Sequence, residues 1–122
     1  MIRILVVDDD FQMREMLGVI LERKGYDVKT AEDGKAALQL QSKKPFDIVI
    51  TDIIMPEKQG LETIAELRRG YPRVKIIAIS GGGRYKPEGY LELASQLGAD
   101  RVLIKPFGSW EILGAVSELA TN

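Results

Sequence analysis

Side chains able to do chemistry stand where short apolar runs end. Asp8, Asp9 and Asp10 follow IRILVV, Asp52 follows FDIVIT, Ser80 follows VKIIAI, and Lys105 follows RVLI. If these runs are strands of one parallel sheet, their carboxyl ends open on a single cleft, where ligands of such sheets bind. Carboxylates gathered there repel one another. Two unit charges ~4 Å apart at an effective dielectric of ~20 cost roughly 4 kcal/mol. Lys105 supplies one positive charge and leaves the cluster negative, so a further cation is needed. The chain has no histidine and no cysteine. That removes disulfides, thiolate zinc sites, cysteine nucleophiles and every mechanism built on an imidazole base. An all-oxygen donor set selects a hard ion, Mg²⁺ or Mn²⁺, of the kind usually shared between one or two carboxylates and phosphate oxygens. A carboxylate is also a nucleophile toward phosphorus, giving an aspartyl-phosphate. Lys105 and the Ser80 hydroxyl are then placed to bond the phosphoryl oxygens.

The elements that must position these groups follow from apolar periodicity. Ile2–Val7, Tyr26–Thr30, Phe46–Thr51, Val74–Ile79 and Arg101–Ile104 read as strands. Phe11–Lys24, Lys35–Ser42, Leu61–Arg69, Tyr90–Leu97 and Trp110–Ala120 read as helices. In the first helix Met13, Met16, Leu17, Ile20 and Leu21 share a face, with Asp10 as N-cap and Gly25 as stop. Gly98 closes the fourth helix, and Ile53–Gly60, with Met55-Pro56, reads as a loop. Strict alternation predicts an α/β fold, a parallel sheet covered by helices on both faces through right-handed crossovers.

Whole-chain quantities bound the rest. The 122 residues, 45% hydrophobic and 29% charged, suit one globular domain spanning 1–122. With 17 basic and 18 acidic residues the net charge is -1, which gives no support to nucleic-acid binding. The N-terminus lacks signal-peptide character and no apolar run approaches ~20 residues, so a cytoplasmic protein with no membrane contact is expected. No linker-like stretch follows the last helix, which suits either a stand-alone domain or a piece of a longer regulator.

The segments ILVVDDD, IVITDIIMP, IAISG and GADRVLIKPF, in that order, resemble the signature segments of response-regulator receiver domains, the CheY-like family, over essentially the whole chain. The resemblance implies a flavodoxin-like (βα)5 fold with strand order 2-1-3-4-5. It implies that Asp52 accepts a phosphoryl group from a histidine on a sensor kinase or histidine phosphotransfer protein. Asp8 and Asp9 would hold Mg²⁺ together with Asp52 and the backbone carbonyl of Ile54. Lys105 would bond the acceptor and then the phosphoryl group, and Ser80 would be the switch hydroxyl. The face made by the fourth helix, fifth strand and fifth helix would meet a downstream protein. Such a chain is a phosphoacceptor that assists its own phosphorylation and dephosphorylation, not a turnover enzyme.

Plainer readings stand beside these. Asp10 suits helix capping better than metal binding. Gly81-Gly82-Gly83 lacks phosphate-loop spacing and reads as a hinge that rearranges on phosphorylation. Phe107 and Trp110 read as helix-packing residues, and the Lys105-Pro106 bond is open to either isomer. The chain also departs from the family. Many receivers carry an aromatic switch residue three positions before the lysine, where this chain has Val102; Tyr85 and Tyr90 are candidate substitutes. Ile54 and Gly82 lack the polar groups that often orient attacking water, which predicts slow self-dephosphorylation. Two other functions compete. An aspartate-nucleophile phosphohydrolase usually has a second aspartate where Ile54 stands, and a flavodoxin-type nucleotide binder would bring phosphates into an acidic cleft.

Overall fold

The structure, a computed structural model, describes residues 1–53, 60–80 and 87–121, with backbone alone over 87–91. The chain runs β1 (Arg3–Val7), α1 (Phe11–Arg23), β2 (Asp27–Ala31), α2 (Gly34–Lys43), β3 (Ile48–Asp52), α3 (Gly60–Gly70), β4 (Lys75–Ser80), α4 (Pro87–Leu97), β5 (Arg101–Ile104) and α5 (Ser109–Ala120). All five strands are parallel, in the order β2-β1-β3-β4-β5. The order reverses between β1 and β3, which places a crevice where those strands end.

Strand side chains alternate between two core layers. Leu5, Val7, Val49, Ile76 and Ala78 pack with Ala37 of α2, Ile64 and Leu67 of α3 and Ala94 of α4. Ile4, Val6, Ile48, Ile50, Ile77 and Ile79 pack with Leu17 and Leu21 of α1 and Ile112, Val116 and Leu119 of α5. Burial on both faces is why these runs are continuously apolar. Each fully buried branched side chain contributes roughly 1.5–3 kcal/mol.

Local chemistry sets the helix ends. Asp10 Oδ1 accepts from Gln12 N–H at 2.9 Å, and Asp33 Oδ1 from Ala36 N–H at 2.8 Å, capping α1 and α2. Gly25 and Gly98 follow α1 and α4 at φ 94° and 123°, a region that suits glycine. The Lys105-Pro106 peptide bond is cis.

Three expectations change. α4 starts at Pro87 rather than Tyr90, since proline has no N–H to leave unbonded in a first turn. Met16 is 42% exposed, because it falls at the edge of the stripe centred on Leu17 and Leu21. Trp110 is 76% exposed and folds over Gly108 instead of entering the core. α5 buries Ile112, Val116 and Leu119, and residue 110 lies off that stripe. Phe107 does pack against the α1/α5 layer.

Candidate functional site

Adjacent strands bring the acids together. Val7 and Thr51 are partners in the β1–β3 register, so Asp8, one residue past β1, comes out beside Asp52, the last residue of β3. Asp8 is 1% and Asp52 7% exposed, while Asp9 stands in solvent. One carboxylate oxygen from each of the three lies within 4.8 Å of the others. Asp10 is not of this group. Its side chain caps α1, and its N–H donates to Asp8 Oδ1 at 2.9 Å.

Lys105 follows β5, two strand spacings or about 10 Å from β3, so only a long side chain closes the gap. Its Nζ reaches Asp52 Oδ2 at 3.1 Å and Asp8 Oδ2 at 3.3 Å. Between them Ser80 ends β4, 3% exposed, and its carbonyl accepts from Lys105 N–H at 2.9 Å. Four strand ends thus deliver acid pair, acceptor, hydroxyl and ammonium to one rim. Burial, followed by the Asp52 charge, raises the Asp8 pKa above its ordinary 3.8, outweighing the Asp10 N–H and Lys105. Burial would depress the Lys105 ammonium, but the Asp52 and Asp8 carboxylates together outweigh it and the pKa is raised. The acid buried deepest resists ionising, and the lysine holds its charge.

Val102 is half-buried on β5, opposite Ala78 and packed against the α2/α3/α4 layer. Ile54, the expected carbonyl ligand, lies outside the described residues, as do Gly81, Gly82, Gly83 and Tyr85. Tyr90 lies in α4 within the stretch described by backbone alone.

Two residues escaped the sequence reading. Gly60 opens α3 backbone-to-backbone against the acceptor. Its N–H donates to Ile53 O at 2.6 Å, and a Cβ there would strike the Asp52 carbonyl and stand 2.5 Å from Ile53 Cα. The available signal was a glycine where serine, threonine or aspartate usually starts a helix. Arg14 Nη1 donates to the Asp8 carbonyl at 2.7 Å, holding the loop that presents the acids, while its guanidinium faces the Phe11 ring at 5.6 Å.

The donor set fits a hard divalent cation: oxygen only, three carboxylates, and one ammonium that leaves them net negative. Asp8, Asp9 and Asp52 are the side chains that could hold such an ion. Among the described residues no helix is long and apolar enough to cross a membrane.

Comparison with known proteins agrees with this geometry. The sequence pattern of the response regulator receiver domain matches residues 4–117. A transcriptional regulatory protein CpxR homolog from Haemophilus influenzae is 34% identical over 119 residues, covering 98% of this chain and 50% of that protein. The alkaline phosphatase synthesis regulator PhoP of Bacillus subtilis is 34% identical over 118 residues, 96% of this chain and 48% of its own. The chain therefore spans about half the length of the curated relatives it matches. Among solved structures, the Thermotoga maritima response regulator TrrA in complex with Mg²⁺ and beryllium fluoride superposes with a TM-score of 0.85 at 38% identity, covering 98% of this chain and 99% of TrrA. The arrangement of acids, hydroxyl and lysine at the sheet rim, and these likenesses, have one explanation: the chain belongs to the response regulator receiver domain family.

Proposed function

We propose that Asp52 accepts a phosphoryl group from a phosphohistidine on a sensor kinase or phosphotransfer protein, with Mg²⁺ held by Asp8, Asp9, Asp52 and the carbonyl of Ile54. The observation that carries this reading is Lys105 Nζ, bonded at once to Asp52 and Asp8 across the mouth of the crevice. An ammonium so placed neutralises the acceptor before transfer and meets phosphoryl oxygens after it. A carboxylate oxygen of Asp52 attacks phosphorus, and the P–N bond breaks with its electron pair returning to the donor imidazole. The missing histidine fits, because the imidazole arrives on another molecule. When bound, the divalent ion supplies charge neutralisation for the phosphoryl oxygens. The acceptor is used stoichiometrically, so the chain is not a turnover enzyme.

The signal then leaves through Ser80, whose carbonyl is bonded to Lys105 N–H, and through the face of α4, β5 and α5. Leu93, Leu97 and Ile104 are exposed there, apolar surface suited to a protein partner. With small Val102 in place of an aromatic, Ser80 is the switch residue that remains. The test is incubation with acetyl phosphate and Mg²⁺ followed by mass mapping. One phosphoryl group is expected on the native chain and none on Asp52→Asn, with metal dependence lost in Asp9→Ala. Labelling of Asp52→Asn at the native rate refutes the assignment.

A further inference from the structure

The cavity opposite the acid site carries a second, unassigned feature. At the amino ends of β3 and β4 a cleft of about 510 Å³ opens over the sheet edge, with Phe46 and Val74 on the α2/α3 side and Ile48 and Leu119 on the α1/α5 side. That volume lies within the range of about 300–1,000 Å³ usual for small-ligand sites. Its inner wall holds Gln41, 1% exposed. Gln41 Oε1 accepts from Phe46 N–H at 2.9 Å, which fixes the carboxamide and turns its NH₂ the other way. That NH₂ meets no acceptor among the described residues, and it is not sealed in the packed interior. Open to the cleft, that NH₂ bonds water there, or an acceptor that displaces the water.

The rim gives the sign of that acceptor. Arg73 and Lys75 both line the cleft, and neither has a carboxylate partner among the described residues. Asp47, the acid beside them, has its Oδ2 bonded to Arg3 N–H at 2.8 Å. The lining mixes apolar side chains with donors that are amide, guanidinium and ammonium. We propose that this cleft binds a small organic carboxylate, its apolar body against Phe46, Tyr71 and Val74 and its anionic head toward Gln41 and Arg73, with Lys75 adding positive charge from across the sheet edge.

Benzoate is the probe, titrated into isotopically labelled protein while the Gln41 side-chain NH₂ resonances are followed. A saturable shift confined to this pole is expected, with a millimolar Kd, and weaker binding of neutral benzyl alcohol. Gln41→Glu keeps the oxygen that caps Phe46 and removes the donor, so the fold survives and benzoate binding is lost. Arg73→Ala with Lys75→Ala changes only the rim and lowers affinity about fivefold or more. Asp52→Asn leaves benzoate binding intact, which separates this site from phosphoryl acceptance. No saturation, equal binding of benzyl alcohol, or full binding by Gln41→Glu overturns the proposal, leaving a hydrated cleft only.

Discussion

A carboxylate buried beside a second one resists ionising even with an ammonium bonded to it, and Asp8, held by Lys105, is that residue here. Its raised pKa means that the folded chain holds the Asp8 proton more tightly than the unfolded chain does. By linkage, this contribution makes the metal-free chain lose stability as pH rises from 3.8 through the folded Asp8 value, and then level off. Lys105, also raised, contributes stability at acid and neutral pH that is lost as pH climbs past 10.5 through its folded value. Asp8→Asn is therefore expected to stabilise the metal-free chain by about 1 kcal/mol in urea unfolding while abolishing Mg²⁺ binding in calorimetry. A native chain more stable than Asp8→Asn without metal would contradict this. Gly60→Ala drives a methyl into the Asp52 carbonyl, an overpacking of about 1–3 kcal/mol, and slows phosphorylation by acetyl phosphate. Gly70→Ala, on the same helix with open space around it, is the neutral control. The acid pair, Asp52, Ser80 and Lys105 were legible because each ends an apolar run. Gly60 and Arg14 were not, since both act through backbone atoms that side-chain chemistry does not advertise.

Among the elements, α4 is tied down at its far end by one side chain. Arg68, in the last turn of α3, donates to Gly98 O at 2.7 Å, Pro72 O and Val74 O at 2.8 Å, and Asp100 Oδ2 at 2.9 Å. Asp100 Oδ2 in turn accepts from Ile76 N–H at 2.8 Å. The end of α3, the start of β4, the cap of α4 and the entry to β5 thus share one guanidinium. Arg68→Met leaves several acceptors unpaired and is expected to lose about 2–4 kcal/mol in denaturant unfolding, with faster amide exchange at Gly98–Asp100. A loss within the error of surface substitutions would show the clamp to be idle. Strand and helix order were readable from alternation, and β5 was bounded to the residue. Exposure was less so: Met16 and Trp110 count as apolar in any pattern, and only the angular position of Leu17, Leu21 and Ile112 shows which of them the core has room for.

The molecule as a whole is electrically polar although its net charge is -1. Acids collect where the strands end, whereas α1, α2 and α3 carry Arg23, Lys43, Arg68 and Arg69 in their last turns, at the other pole. This opposes each helix dipole favourably and directs cations to one pole and anions to the other. Mg²⁺ at a hundredfold excess over its Kd is expected to stabilise the folded chain by about 2.7 kcal/mol, raising Tm in the native chain and not in Asp8→Asn. An equal rise in both would place the ion elsewhere. The lifetime of the phosphorylated form is expected to be long, given Ile54 and Gly82. Rapid hydrolysis insensitive to substitution of Gly82 would reject that explanation.

Trp110 is the chain's single indole, and it lies in water at the head of α5, a few residues past the lysine. It is consequently a built-in optical reporter. Its emission is expected near that of free tryptophan, and a protein seated over that end of the helix would shift it to shorter wavelengths, with no label attached.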